Sequence, residues 1–160
     1  MTENPPPPRS PMERQGALLQ ELAGVLLDAL DLPDDWASVG AAFLPHGEGW
    51  AARLVITGRD GATSGGDAPF AEDSQITTLL NALQQASAEQ REAFASLRLI
   101  ASRSIEEPER IRLGTDVNYD RDPGSFDGLG GIDAHYARRL ADRVGAQRLP
   151  GWMQELLESS

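Results

Sequence analysis

The chain has 160 residues and is 40% hydrophobic, which is the size and composition expected of one domain with a modest core. It contains no cysteine, so disulfides, thiolate nucleophiles and cysteine-ligated zinc or iron–sulfur clusters are excluded. All fourteen basic residues are arginine, which also excludes Schiff-base lysines and the lysine of a phosphate-binding loop. With this chemistry excluded, the composition favours a protein that binds another protein over an enzyme.

The formal net charge of -11 repels nucleic-acid phosphates and anionic lipid head groups, so direct binding to nucleic acid or to a membrane is not expected. A basic protein partner is favoured, because complementary potentials speed association by roughly 10- to 1,000-fold at low salt. The alternative is that the acidic surface serves only solubility. No apolar run reaches the roughly 20 residues of a membrane span, and the N-terminus does not read as a signal peptide, which predicts a cytoplasmic protein.

The N-terminal residues 1–11 include four consecutive prolines, which favour neither helix nor sheet. We predict a disordered proline-rich tail there and a single domain over 12–160. A polyproline ligand is the alternative for the tail. Apolar residues at helical spacing then predict an amphipathic helix over 12–30, which ends before Pro33 and the two aspartates that follow it.

A strand meander is predicted next. Two strands over 36–44 and 50–57 are joined by a connection of hairpin length that is rich in turn residues. A tight turn at 58–61 leads into a short strand over 62–70 that its glycines weaken. These segments begin an antiparallel sheet.

A central helix is predicted to start from an N-cap at Asp73 or Ser74. A capping-box spacing at Ser87 predicts that the helix continues towards Phe94. The apolar residues between these points recur at helical spacing, which supports the helix independently of its caps.

Two further strands are predicted over 97–104 and 111–120, connected by an acidic turn at 106–109. The second of them alternates strongly between two faces. Its core face is predicted to hold Ile111, Leu113, Thr115, Val117 and Tyr119. Its solvent face is predicted to hold Arg112, Gly114, Asp116, Asn118 and Asp120.

After a glycine-rich loop over 122–131, a helix is predicted over 132–144, and a short helix from Pro150 is predicted to dock back on the body. The order of elements predicts the α+β class. The expected architecture is an antiparallel sheet of about five strands packed against N-terminal, central and C-terminal helices.

The acidic run that begins at Asp116 resembles the opening of an EF-hand calcium loop, where oxygen ligands occupy alternate positions. Arg121 stands where that loop needs a glycine, and Asp127 stands where it needs a glutamate. We predict a solvated acidic strand end at this segment and no metal ion.

His46 with Glu48, and His135, are the remaining candidates for metal or acid–base chemistry. A turn histidine and a helix-surface histidine are the simpler interpretations. The glycines at 128–131 could hold an anion at a helix N-terminus, but a flexible loop is favoured because no buried parallel strand precedes them. We predict no catalytic residue and no cofactor.

Taken in this order, the elements resemble the YezG-like immunity proteins of bacterial polymorphic toxin systems. The resemblance rests on the leading helix, Trp36 opening a strand, the meander ending near Gly61, the central helix, and the late strand Val117-Asn118-Tyr119-Asp120. It spans roughly residues 13–122. The loop over 122–131 and the helix with Arg138 and Arg139 have no place in the family pattern.

The resemblance implies an intracellular antitoxin that binds a cognate secreted toxin, often a nuclease, and blocks it. A nuclease site is basic because it holds phosphates, so an acidic protein can occupy it as a mimic of the nucleic-acid backbone. The predicted partner-binding residues are Glu106, Glu107, Glu109, Asp116, Asp120 and Asp122, with Tyr119 as an aromatic anchor if it is not in the core. The alternatives are a small-molecule or metal-binding enzyme and a general interaction adaptor. The sequence does not fix the oligomeric state.

Overall fold

The computed structural model describes residues 11–46, 48–90, 93–104, 106–107, 109–118 and 132–158. Their helices and strands, in chain order, are α1 (Pro11–Ala29), β1 (Trp36–His46), β2 (Gly49–Gly58), β3 (Thr63–Phe70), α2 (Gln75–Gln90), β4 (Ser96–Arg103), β5 (Ile111–Asn118), α3 (Ala134–Val144), a turn of 3₁₀ helix (Ala146–Arg148) and α4 (Gly151–Glu158). The predicted α+β class is confirmed, since helices stand before, between and after the strands. None of these helices is long and apolar enough to cross a bilayer.

The strands form one five-stranded antiparallel sheet in the order β3-β2-β1-β4-β5. β1 lies at the centre and pairs with β2 on one side and β4 on the other, so β3 and β5 are the edges. Because successive side chains of a strand point to opposite faces, each strand contributes alternate residues to an inner and an outer face. The predicted sheet of about five strands is confirmed.

Helices α1 and α2 pack side by side on the inner face and form the main core with it. The buried side chains of this cluster include Leu22 and Leu26 of α1, Leu80 and Leu83 of α2, Phe43 and Trp50 of the meander, and Leu97 and Leu99 of β4. Burying a side chain of this size contributes roughly 1.5 to 3 kcal/mol. The cluster is therefore a large part of what stabilises the fold.

The middle of the outer face is open to solvent. Val55 and Ile100 are each 45% exposed there, and both lie opposite Gly40 in the strand register. Glycine has no side chain, so the two apolar side chains flank a shallow gap on the sheet surface.

A second, smaller core joins the C-terminal helices to the end of α2. Tyr136 and Leu140 of α3 and Met153 of α4 are buried there, and Trp152, Leu156 and Leu157 pack against them partly buried. The predicted docking of the C-terminal helix is confirmed.

The predicted continuation of the central helix to Phe94 is wrong, because α2 ends at Gln90 and residues 93–95 are not helical. Their backbone groups bond elsewhere. The Ala93 N–H donates to the Arg148 carbonyl at 2.9 Å, and the Ala95 N–H donates to the Asn118 carbonyl at 2.9 Å. Phe94 enters the main core, with its ring centroid 6.0 Å from that of Trp50. The capping-box spacing at Ser87 predicted helical hydrogen bonds for this segment, and hydrogen bonds to distant parts of the chain replace them.

The N-terminal boundary also differs by one residue, since α1 begins at Pro11, which was assigned to the tail. Proline suits the first position of a helix because its fixed φ is helical and no N–H is needed there. Residues 1–10 of the predicted tail lie outside the described residues.

The predicted faces of β5 are confirmed over Ile111–Asn118, but the burial of its core face is wrong for most of the strand. Tyr119 and Asp120 of the predicted strand lie outside the described residues. Leu113 and Val117 lie opposite the inner-face residues Ala101 and Leu97. Ile111 is nevertheless 41% exposed and Leu113 38% exposed, and only Val117 packs against the main core. The reason is position: β5 is an edge strand, and the α1 and α2 layer does not cover its first half.

We expect Ser74→Ala to lower the free energy of unfolding by about 1 kcal/mol, the usual value of an N-cap. Ser74 Oγ accepts a hydrogen bond from the Thr77 N–H at 3.1 Å, at the start of α2. Denaturation in urea measures the change. Ser64→Ala, at an exposed position of β3, is the control and should change stability by less than about 0.5 kcal/mol. Equal effects of the two substitutions would contradict the capping role.

Candidate functional site

Antiparallel pairing brings three connections of the chain to one end of the sheet. The starts of β1, β3 and β5 and the ends of β2 and β4 lie together there, as the register pairs Trp36 with Gly58 and Ser38 with Ser102. The connections at this end are residues 30–35, 59–62 and 104–110. We call these three connections, together with the last turn of α1, the acidic end.

The acidic end carries far more carboxylates than arginines. Its eight acidic side chains are all exposed: Asp28, Asp31, Asp34, Asp35, Asp60, Glu106, Glu107 and Glu109. It contains two arginines, Arg59 and Arg110, and a third, Arg103 at the end of β4, borders it. A methyl group built on Gly58 would lie 2.9 Å from Asp60 Oδ1 and 3.5 Å from Asp35 Oδ2, so two of the connections bring their carboxylates close together.

This concentration of negative charge does not serve helix stability. The last turn of α1 contains Asp28 and no basic residue, and Asp31 follows it closely. The C-terminal end of a helix carries a partial negative charge, so acidic groups there are unfavourable by a few tenths of a kcal/mol each, up to about 1. The acidic end therefore has an electrostatic cost that folding alone does not explain.

Arg103 orders the acidic end from its inside. Its Nε donates to the Trp36 carbonyl at 2.7 Å and its Nη2 donates to the Asp34 carbonyl, while the guanidinium lies 4.2 Å from the centroid of the Trp36 ring. The backbone adds a further link, because the Arg59 N–H donates to the Asp35 carbonyl at 3.0 Å. The carboxylates of separate connections are thus held on one bonded framework.

The structure brings together some of the predicted partner-binding residues and separates others. Glu106, Glu107 and Glu109 lie at the acidic end. Asp116 does not: it lies on the outer face opposite Arg98, five residues and so roughly 16 Å along β5 from Ile111. Tyr119, Asp120 and Asp122 lie outside the described residues, so their predicted role stays a prediction.

Sequence reasoning missed Asp31, assigned Asp34, Asp35 and Asp60 only to turns, and placed Asp28 only on the polar side of the first helix. The signal was present in the predicted order of the strands. In an antiparallel meander every second connection lies at the same end of the sheet, so acidic residues in alternate connections are brought together.

A cleft of about 360 Å³ lies at the opposite end of the sheet, where α3 packs near the hairpin between β1 and β2. Its lining includes Glu48, Trp50, Glu72, Asn81, Tyr136, Arg139, Asp142 and Arg143. Sequence reasoning named Glu48 from this set, in a metal or acid–base role. In the structure Glu48 forms an ion pair with Arg139.

Polar side chains below the cleft are bonded to one another. The fully buried Gln84 donates from Nε2 to the Phe94 carbonyl and to the Tyr136 hydroxyl, both at 2.8 Å, and its Oε1 accepts from Arg143 Nη2 at 2.6 Å. The Trp50 indole N–H donates to Asn81 Oδ1 at 2.9 Å. These bonds satisfy the buried polar groups that join the two cores.

Burial shifts two pKa values in this network. It raises the pKa of the Tyr136 hydroxyl, against the opposing effects of the Gln84 hydrogen bond and of Arg143 and Arg139. It lowers the pKa of the Arg143 guanidinium, with a smaller opposing effect of Tyr136.

Neither histidine lines the cleft. His46 is half-buried at the end of β1, and His135 is exposed in the first turn of α3. Within the described residues, no three His, Asp or Glu side chains are grouped to hold a metal ion. Most of the EF-hand-like run after Asp116 lies outside the described residues.

We expect Arg103→Ala to lower the free energy of unfolding by about 2 kcal/mol, because it removes two charge-assisted hydrogen bonds and a ring contact. The change should also expose Trp36, which is 7% exposed in the folded chain, and shift part of the tryptophan emission to longer wavelength. Arg98→Ala, on the exposed face of the same strand, is the matched control and should alter neither property. Unchanged emission in Arg103→Ala would show that other contacts order the acidic end.

We expect stability to fall at alkaline pH through Tyr136. Burial raises the pKa of Tyr136 in the folded chain above its value of about 10 in the unfolded chain. Tyr136 therefore contributes fully to the free energy of unfolding below about pH 10, and this contribution is lost as the pH rises through the folded-state pKa. Tyr136→Phe should therefore lose less stability than the unaltered chain between pH 9 and pH 11, measured by urea unfolding at each pH. Tyr119, the other tyrosine, is present in both proteins, so the comparison isolates Tyr136. Parallel stability curves would contradict a buried, protonated Tyr136.

No protein-family model matches this sequence, and no curated protein matches it at a significant level.

Proposed function

We propose that this chain is an immunity protein that binds a cognate bacterial toxin and neutralises it through the acidic end. The observation that carries the proposal is the convergence of three connections, which places eight exposed carboxylates and only three arginines at one end of the sheet. A surface of this kind attracts a basic partner and repels nucleic acid and anionic lipid. The resemblance to YezG-like immunity proteins is consistent with such a partner.

The chemistry of a nuclease toxin would fit this surface well. Its active site must be basic to hold phosphates, and carboxylates spaced along a rigid edge can occupy the same positions. The acidic end is built on connections held by a paired sheet, which is the usual way to present binding residues on a stable scaffold. In this proposal the chain acts in the cytoplasm, where it would protect the cell that makes the toxin.

The proposed contact set differs from the one that the sequence alone predicts. Glu106, Glu107 and Glu109 remain, and the aspartates of the other two connections join them. Asp116, Tyr119, Asp120 and Asp122 remain candidates for a second contact region. Asp116 lies opposite Arg98 in the strand register, apart from the acidic end.

A second candidate function is favoured by the cleft beneath α3. Its volume of about 360 Å³ is near the lower end of the roughly 300 to 1,000 Å³ of small-molecule sites, and Arg139 and Arg143 would select an acidic ligand. It ranks lower because both arginines already bond within the protein, Arg139 to Glu48 and Arg143 to Gln84. Three carboxylates in the lining also oppose an acidic ligand.

The test uses a candidate toxin sought among the genes that neighbour the one for this chain. Both proteins are purified, and association and dissociation rates are measured at low and at high salt. We expect the triple variant Glu106→Gln, Glu107→Gln and Glu109→Gln to associate about tenfold more slowly than the unaltered chain at low salt, with little change in dissociation. The difference should shrink as salt rises, because exposed charges are screened.

The control variant makes the same change in net charge away from the acidic end, at the exposed residues Glu72, Glu155 and Glu158. We expect it to associate almost as fast as the unaltered chain. If the two triple variants slow association equally, net charge and not the acidic end guides the partner. Binding that is tight but insensitive to salt and to both variants would contradict the proposal, and an adaptor with an uncharged interface would then be favoured.

A further inference from the structure

The two edges of the sheet differ in how they are protected against pairing with another chain. An exposed edge strand offers unpaired N–H and C=O groups, and proteins usually block it with proline, bulges or irregular backbone. Edge strand β3 has these features. Pro69 lacks an N–H, and Gly65 adopts a φ of +144°, where a Cβ atom would lie 2.0 Å from the Leu54 carbonyl oxygen.

Edge strand β5 lacks them. It contains no proline, and its one glycine, Gly114, does not adopt a positive φ. Like β3 with β2, it keeps one unbroken antiparallel register with its neighbour, here from Ile111 to Asn118. The Asn118 carbonyl accepts from the Ala95 N–H and so points towards β4. Because alternate residues of a strand direct their polar groups to opposite sides, the backbone groups of residues 111, 113, 115 and 117 point away from the sheet. Within the described residues, no strand pairs with them.

The side chains of β5 add an apolar component to this free edge. Ile111 and Leu113 are 41% and 38% exposed, and both lie on the inner-face side of the strand. Val117, on the same side, packs against the main core. A strand placed beside β5 would therefore extend the core outwards.

The sequence of β5 is complementary to itself when two copies run antiparallel. With Gly114 on the two-fold axis, Arg112 of one copy lies opposite Asp116 of the other, and the pair occurs twice. On the inner-face side, Ile111 then lies opposite Val117, and Leu113 lies opposite Thr115. A two-fold axis at Arg112 or at Asp116 would instead place like charges against each other, which is unfavourable. Of the registers centred on Arg112, Gly114 or Asp116, only the one centred on Gly114 pairs opposite charges.

We propose that two copies of this chain associate through β5 in this register and form a continuous ten-stranded sheet with two-fold symmetry. The outward backbone groups of four residues per copy pair across the interface. One strand pair is smaller than a standard interface of about 1,600 Å², so the dimer forms in a concentration-dependent way. The antiparallel arrangement directs the two acidic ends to opposite sides, which leaves both open.

Sedimentation of the full chain from low micromolar to millimolar concentration tests this interface. We expect a monomer–dimer equilibrium. Arg112→Asp and Asp116→Arg each replace two attractive pairs by two repulsive ones, and each should raise the dimer dissociation constant at least about tenfold. The double variant Arg112→Asp with Asp116→Arg restores both pairs and should return the constant close to that of the unaltered chain.

Arg59→Asp is the matched control for Arg112→Asp. It makes the same change in net charge, but in the connection between β2 and β3, and should leave the dimer intact. A second measurement needs no variant: hydrogen exchange of the amides of residues 111, 113, 115 and 117 should slow as concentration rises. A chain that stays monomeric throughout overturns the proposal. So does a dimer that neither single reversal weakens, or one that the double variant fails to restore. The toxin plays no part in these measurements, so their outcome is separate from that of the proposed function.

Discussion

The antiparallel pairing of β1 with strands on both sides positions every other feature of this chain. β1 has a partner along most of its length in both β2 and β4, which makes it the central strand. Its neighbours must then reverse direction, and the connections alternate between the two ends of the sheet. The acidic connections lie at one end and the hairpin with Glu48 lies at the other, next to α3. The chemical difference between the two ends follows from this pairing.

The two cores of the molecule are joined by polar contacts as well as apolar ones. Gln84, fully buried in α2, bonds the non-helical Phe94 carbonyl and the Tyr136 hydroxyl of α3, and it accepts from Arg143. A buried amide is stable only when its groups have partners, so this set of bonds specifies one arrangement of α3 on the body. A separate bond accounts for the end of α2 before Phe94: the Ala93 N–H, which a longer helix would bond internally, donates to the Arg148 carbonyl instead.

Charge and stability oppose each other at the acidic end. Carboxylates that follow the C-terminal end of α1 repel the helix dipole and one another. The framework that holds them consists of backbone hydrogen bonds together with the Arg103 guanidinium, which bonds two carbonyls and lies over the Trp36 ring. A structure that maintains such a surface against its electrostatic cost is suited to a positively charged partner. The exposed half of β5 is a different kind of surface, apolar and self-complementary, and it suits a second copy of the chain.

Local patterns in the sequence determined the elements. Apolar spacing gave the helices and strands to within a few residues, the alternation in β5 gave its faces correctly, and the choice of Ser74 as a cap was among the predictions. These features depend on neighbours along the chain, which the sequence displays directly. Three others needed the tertiary structure: the end of α2, the exposure of Ile111 and Leu113, and the gathering of Asp31, Asp34, Asp35 and Asp60 beside Glu106, Glu107 and Glu109. Each of these features depends on a segment that is distant in the sequence. The end of α2 depends on its tertiary hydrogen-bond partners, the exposure of β5 depends on where the helix layer stops, and the gathering of the carboxylates depends on the order of the strands. Residue spacing along the chain does not show any of these relations.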